Sequence, residues 1–205
     1  MTKEKEVLLI WDFSLFKGYE TMATYKKKTY TVEGCTYRTQ ALADFHKELR
    51  VHPYVQSFSL PTVGHEKGLK NSRFKSYKVL INDLIFDSAM EAKFYLYLLE
   101  LKDKKEIRSF ERQVTFELQP GFTDAHTNKK VRPITYIADF VVTYKSWIKY
   151  VIDVKGVETA EFKLKKKMFQ YKNPDKPFMC LQLYKPTGQW LELDEIKKLK
   201  KKKRG

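Results

Sequence analysis

The sequence predicts an α/β fold. Short runs with the two-residue alternation of strands take turns with longer runs of helical period. Hydrophobic residues make up 42% of the chain and aromatic residues 15%, which supports a packed core and argues against disorder. A length of 205 residues allows one or two domains.

The elements follow in order. "EVLLIWDFSLF", within residues 5–16, reads as a strand. Residues 29–38 read as a strand pair turning at Glu33-Gly34. "TQALADFHKELR" (39–50) is a short helix with Thr39 as its cap. "YVQSFSL" alternates like a strand, and the polar stretch 61–76, with Gly and Pro, reads as a loop. A second series begins at Tyr77. "YKVLINDLIF" is a hairpin turning at Asn82-Asp83, and "DSAMEAKFYLYLLELKD" is an amphipathic helix. "EIRSFERQVTFEL" is a strand, and "QPGFTDAHTNKKVRP" is a loop. "ITYIADFVVTY" and "IKYVIDVKG" are two strands joined at Lys145-Ser146. "ETAEFKLKKKMFQYKN" is a basic helix, "PFMCLQLY" a strand, and "PTGQWLELDEIKKL" a turn and a final helix.

The two series match each other. Tyr37, Thr39, Leu42, Ala43, Phe45 and Leu49 correspond to Phe86, Ser88, Glu91, Ala92, Phe94 and Leu98, always 49 apart. Tyr30 and Val32 match Tyr77 and Val79 at an offset of 47, and Val55 and Phe58 match Ile107 and Phe110 at 52. Two readings are open: a degenerate repeat, or generic apolar spacing. If the repeat is real, Leu42 stands where the later copy has Glu91.

Charge narrows the class of partner. The net charge is +15, and the last ten residues hold seven positive charges, leaving 15 − 7 = +8 for the remainder. Such an excess favours a polyanion, nucleic acid before an acidic membrane face. For the C-terminal Lys200, Lys201, Lys202 and Lys203 the alternatives are a specific nucleic-acid-binding role and a bland one, a disordered solubilising end or a non-specific phosphate grip. Cys35 and Cys180 form no CxxC, and four histidines stand at no ligand spacing, so neither a disulfide framework nor a zinc site is expected. No apolar run approaches the roughly 18–20 residues of a membrane helix. The start lacks a small-residue cleavage signal, and a cytoplasmic protein without a membrane partner is expected.

Four polar residues carry candidate chemistry. Strict alternation puts Ile137, Asp139 and Val141 on one face of their strand, and Val151, Asp153 and Lys155 on one face of the next. In an antiparallel hairpin, Asp139 and Asp153 can then share a sheet face. Carboxylates that close repel unless a cation lies between them, and Mg²⁺ or Mn²⁺ suits such hard oxygens. Lys155 beside the metal could orient a water or stabilise charge on phosphoryl oxygens. The alternative for Asp153 and Lys155 is an exposed ion pair, worth about 0–1 kcal/mol. Glu91 follows Ser88 by three, the spacing of a helix capping box, and capping does not bar a role through a metal-bound water. Gln113, on the intervening strand, is either a site neighbour or a plain edge residue. Lys163, Lys165, Lys166 and Lys167 follow the Asp153 strand, as phosphate contacts or as a solvated face.

The order of a helix glutamate, a strand aspartate and Asp-x-Lys on the next strand resembles the PD-(D/E)XK nuclease superfamily. The pieces are Glu91, "YIADF" with Asp139, and "IDVKG" with Asp153 and Lys155. The stretches "FDSAMEAKFYLYLLEL", "FERQVTFEL" and "FKLKKK" are similar to a phage-associated family of small nuclease-like proteins of formerly unknown function. The endonuclease subunit of heteromeric transposases looks similar over the same stretch. The proline that can precede the first aspartate is Ala138 here.

The resemblance implies a restriction-endonuclease-like core, a central mixed sheet flanked by helices, that cuts DNA with Mg²⁺ or Mn²⁺. It implies Asp139, Asp153 and the Val154 carbonyl as metal ligands, Glu91 on a metal water, and Lys155 positioning the nucleophile. Residues 71–195 would form this core, 1–70 an α/β unit before it, and 196–205 a basic tail. A phage or mobile-element origin is implied. Double-strand cutting fits a homodimer. The alternatives are a subunit needing a transposition or recombination partner, and a catalytically silent nucleic-acid-binding protein.

Overall fold

A computed structural model describes residues 6–9, 25–28, 30–37, 39–60, 70–71 and 76–202. The chain divides into two compact units, residues 1–92 and 93–205. Of the predicted strand 5–16, the described part is β1 (Glu6–Leu9), paired antiparallel with β2 (Tyr25–Lys28); Lys203 lies outside the described residues.

In the N-terminal unit, β3 (Tyr30–Val32) and β4 (Cys35–Tyr37) form a hairpin whose turn, Glu33-Gly34, has positive φ at both residues. Thr39 caps α1 (Gln40–Val51) by accepting from the Leu42 amide, and α1 buries Leu42, Ala43, Phe45, His46 and Leu49. His46 is a buried core residue, held between the Tyr37 hydroxyl and Glu33, which also pairs with Arg50 at 2.7 Å. Beyond α1, β5 is only Phe58–Ser59. The stretch read as a loop carries a short ladder, β6 (Lys70–Asn71) with β7 (Ser76–Tyr77). Then β8 (Val79–Ile81) pairs with both β5 and β9 (Leu84–Phe86). The β8–β9 turn is Asn82-Asp83, again with positive φ, and the Asn82 side chain binds the backbone of Tyr54, Gln56 and Ser57.

After Ser88 comes α2 (Ala89–Asp103). The starts of β3 and β8, β4 and β9, and α1 and α2 are each 49 residues apart, as are the two hairpin turns. The hairpin strands therefore align at the same spacing as the helices, without the 47-residue offset that Tyr30 and Tyr77 implied.

The C-terminal unit is built on a five-stranded mixed sheet in the order β10 (Ile107–Gln119), β13 (Ile134–Tyr144), β14 (Lys149–Val154), β15 (Phe178–Tyr184), β16 (Gln189–Glu192). The predicted loop 119–133 carries a small ladder, β11 (Phe122–Thr123) with β12 (Lys130–Val131). The β14–β15 pair is parallel, made so by the crossover helix α3 (Ala160–Lys172), which Thr159 caps. β16 interrupts the stretch read as a turn, and α4 (Leu193–Lys202) follows it. Leu193 and Ile196 of α4 are buried, so the fold continues past residue 196 rather than ending in a tail there.

Apolar residues cover both faces of this sheet. On one, Phe162 and Phe169 of α3 pack in a cluster with Leu118, Tyr136, Val141, Val151 and Cys180. On the other, Phe94 of α2 meets Phe140 at 5.2 Å and Trp190 at 4.8 Å between ring centroids. β14, covered on both sides, is buried from Val151 to Val154.

Candidate functional site

Asp139 and Asp153 stand where β13 and β14 part. The registered pairs of this antiparallel ladder run from Thr143 with Lys149 to Phe140 with Ile152. One step further, Asp139 would face Asp153. There the ladder stops, and the Asp139 Oδ2 accepts the Val154 amide at 2.8 Å. A side-chain carboxylate takes the place of a backbone carbonyl and lets the strands diverge.

The other side of β13 is irregular at the same point. Its pairing with β10 runs through Arg112 with Phe140 and Val114 with Ala138, and the intervening positions are Gln113 and Asp139. Gln113 has φ 51°, a left-handed conformation uncommon for such a residue within a strand. The strand switches faces here. Tyr136 and Ala138 share the α3-side cluster with Val141, whereas Phe140 packs on Phe94 of α2. This corrects the simple alternation, in which Tyr136, Ala138 and Phe140 share one face and Ile137 shares the other with Asp139 and Val141. Ile137 is 51% exposed while Val141 is buried.

Asp153 is fully buried, at 0% exposure. Its Oδ1 accepts from the Tyr136 hydroxyl at 2.7 Å. Burial, and then the Asp153 charge, push the Tyr136 hydroxyl far above its ordinary range, so it stays protonated and donates. Oδ2 accepts no hydrogen bond of good angle, but Lys155 Nζ lies 2.6 Å away. The pair is interior, unlike the exposed ion pair considered as the alternative. Lys155 also sits over the Phe162 ring at 4.5 Å. Burial pulls its ammonium down, but the close charge of Asp153 and that of Asp139 outweigh this and raise it above its ordinary value. Lys155 therefore stays cationic at neutral pH. Its side chain is 31% exposed and lines an open cleft of about 340 Å³ with Thr135, Ile137, Thr159, Glu161 and Lys165.

The other candidates divide. Ser88 Oγ accepts the Glu91 amide at 3.1 Å and donates to the Glu91 carboxylate at 2.9 Å, so Glu91, in the N-terminal unit, takes part in capping α2. Lys163 and Lys167 are exposed on α3, and Lys165 pairs with Glu161 at 3.0 Å. Lys166, unlike its neighbours, points inward, to Glu158 at 3.4 Å and Cys180 Sγ at 3.6 Å. Lys200, Lys201 and Lys202 are exposed on α4.

Sequence reasoning missed Tyr136 and Glu158. Tyr136 looked like one of many strand aromatics. Glu158, whose side chain is 11% exposed, binds Lys166 of α3 and Lys197 of α4, and its position before α3 gave no sign of either partner.

Among the described residues, no group of three or more His, Cys, Asp and Glu side chains is gathered to hold a metal ion. The donors at the β13–β14 fork are two carboxylates, and the Asp153 oxygens face the Tyr136 hydroxyl and the Lys155 ammonium. That set fits a Mg²⁺ site of the sparse kind, in which one or two carboxylates are completed by water and substrate oxygens. Among the described residues, no helix is long and apolar enough to cross a membrane.

No curated protein and no solved structure matches the chain. Residues 71–188, more than half of the chain, match the family model described as "Protein of unknown function (DUF1064)". The match covers the β13–β14 fork, Lys155 and all of α3, and the chain belongs to the DUF1064 family.

Proposed function

We propose that this protein is a metal-dependent endonuclease that hydrolyses phosphodiester bonds in DNA. One observation carries the reading: Asp139, Asp153 and Lys155 meet at the fork of two strands, and Lys155 opens onto a cleft whose wall includes Lys165. Asp139 and Asp153 would hold Mg²⁺ or Mn²⁺, with the Val154 carbonyl as a further ligand. The bound ion would polarise a phosphoryl oxygen and make water a better nucleophile. Lys155, held cationic, donates to a phosphoryl oxygen and opposes the charge that grows there. Tyr136 fixes the orientation of the Asp153 carboxylate. The exposed Lys163 and Lys167 bear on the DNA backbone without reading its sequence.

A second reading is a nucleic-acid-binding protein that does not cut. It is favoured by the depth of Asp153, closed beneath Lys155. A third is a nuclease that acts only beside a transposition or recombination partner. Incubation with duplex, flap, junction and single-stranded DNA in Mg²⁺, Mn²⁺ or EDTA separates them. Cutting with either metal, lost in EDTA and in Asp139→Asn and Lys155→Ala, is expected. Binding without cutting under every condition would overturn the leading reading, and cutting by both variants at the wild-type rate would overturn the site.

A further inference from the structure

The loop between β13 and β14 presents a tryptophan to solvent. It runs from Lys145 to Ile148, closed by the Tyr144 amide on the Ile148 carbonyl at 3.1 Å and the Trp147 amide on the Tyr144 carbonyl at 3.0 Å. The sequence implied a tighter turn at Lys145-Ser146. Trp147 is 70% exposed and has φ 65°, a conformation that bulky residues rarely adopt. Its ring is held in place: the Arg108 guanidinium carbon lies 3.8 Å from the ring centroid, and Arg108 Nε donates to the Lys145 carbonyl at 3.2 Å. An apolar ring in a strained backbone, exposed yet oriented by a cation, is not explained by packing, and strain of this kind collects at binding sites.

The surroundings are basic. Lys145 opens the loop and Lys149 follows it, Arg108 covers one side of the ring, and Ile148 is 44% exposed. Ile107 pairs with Tyr144, which brings the turn with Lys104 and Lys105 beside the loop; Glu106 is the acidic residue of that turn. A flat ring among cations matches the chemistry of a nucleic-acid strand, whose bases stack and whose phosphates are anionic. We infer that Trp147 is a stacking platform for an unpaired base of single-stranded or frayed DNA, with Arg108, Lys145 and Lys149 holding the adjoining phosphates. The platform stands at the opposite end of β14 from Asp153 and depends on no cleavage chemistry.

The test uses the full chain in EDTA with a short oligothymidine and a blunt duplex as probes. The oligothymidine is expected to quench tryptophan emission and to bind more tightly than the duplex. Trp147→Ala is expected to abolish the quench and weaken oligothymidine binding about tenfold. Trp147→Phe is expected to keep most of the affinity. Melting of both variants checks the fold, which an exposed loop residue should not disturb. Wild-type affinity in Trp147→Ala, or a quench that survives it, overturns the inference. So does a change of oligomeric state in Trp147→Ala with DNA binding intact, which would make the loop a protein interface. Quenching without any Mg²⁺-dependent cutting would sink the nuclease reading and leave this one standing.

Discussion

Lys155 Nζ lies 2.6 Å from Asp153 Oδ2, and the two differ in exposure: the lysine side chain is 31% exposed and the aspartate side chain 1%. The charge that cannot reach water is the carboxylate. Removing the lysine strands it. Lys155→Met, which keeps the packing on Phe162, is expected to lower stability by about 2–3 kcal/mol, below the 3–5 kcal/mol typical of a fully buried pair. Tyr136→Phe removes the hydrogen bond to Oδ1 and is expected to cost about 1–3 kcal/mol. Urea unfolding of both single variants and the double variant measures the coupling. Lys155→Met as stable as wild type would show that Asp153 does not depend on its partner.

The left-handed residue of β10 gives a backbone prediction. At φ 51°, Gln113→Gly is expected to be neutral or to stabilise by about 0.5–1 kcal/mol. Gln113→Val, β-branched, is expected to destabilise by about 1–2 kcal/mol. Thermal melts should place Gln113→Val clearly below Gln113→Gly, with Gln113→Gly at or above wild type. Equal melting temperatures would mean that β10 does not hold this conformation.

Glu158 sets a pH dependence. Burial alone would raise its carboxyl, but Lys166 and Lys197 outweigh burial and hold it below the ordinary 4.5. The sign follows from linkage: below pH 4.5 the unfolded chain takes up the proton first, so stability falls. Glu158's contribution is complete above about pH 4.5 and is lost as pH drops through its folded value. Glu158→Gln should therefore be less stable than wild type at neutral pH and show a flatter acid limb in denaturant midpoints from pH 6 to pH 3. A gap between the two proteins that does not change with pH would refute the ion-pair account.

The lysines of α3 should behave in two ways. Lys163→Ala and Lys167→Ala are each expected to weaken DNA binding and reduce the salt slope by about one. Lys166→Ala is expected to leave the slope alone and lower the melting temperature, because it strips a partner from Glu158. A reduced slope in Lys166→Ala would show that this side chain turns outward to phosphate.

Much of this protein was legible from its residues alone. Period-two and helical patterns located the long strands and helices, because burying one face imposes that periodicity on the residues themselves. Thr39 and Ser88 marked helix starts, since a cap is a local hydrogen bond. The closeness of Asp153 and Lys155 followed from alternation two residues apart. What sequence could not supply depended on partners distant along the chain. The face switch at Asp139 needs Gln113 across the ladder, the anchoring of Asp153 needs Tyr136 seventeen residues earlier, and the inward turn of Lys166 needs Cys180 of β15 and Glu158 before α3. A lysine run reads as one basic face in sequence. Tertiary packing decided which of its members meets water and which meets a buried carboxylate, because a helix turns each successive side chain toward a different neighbour.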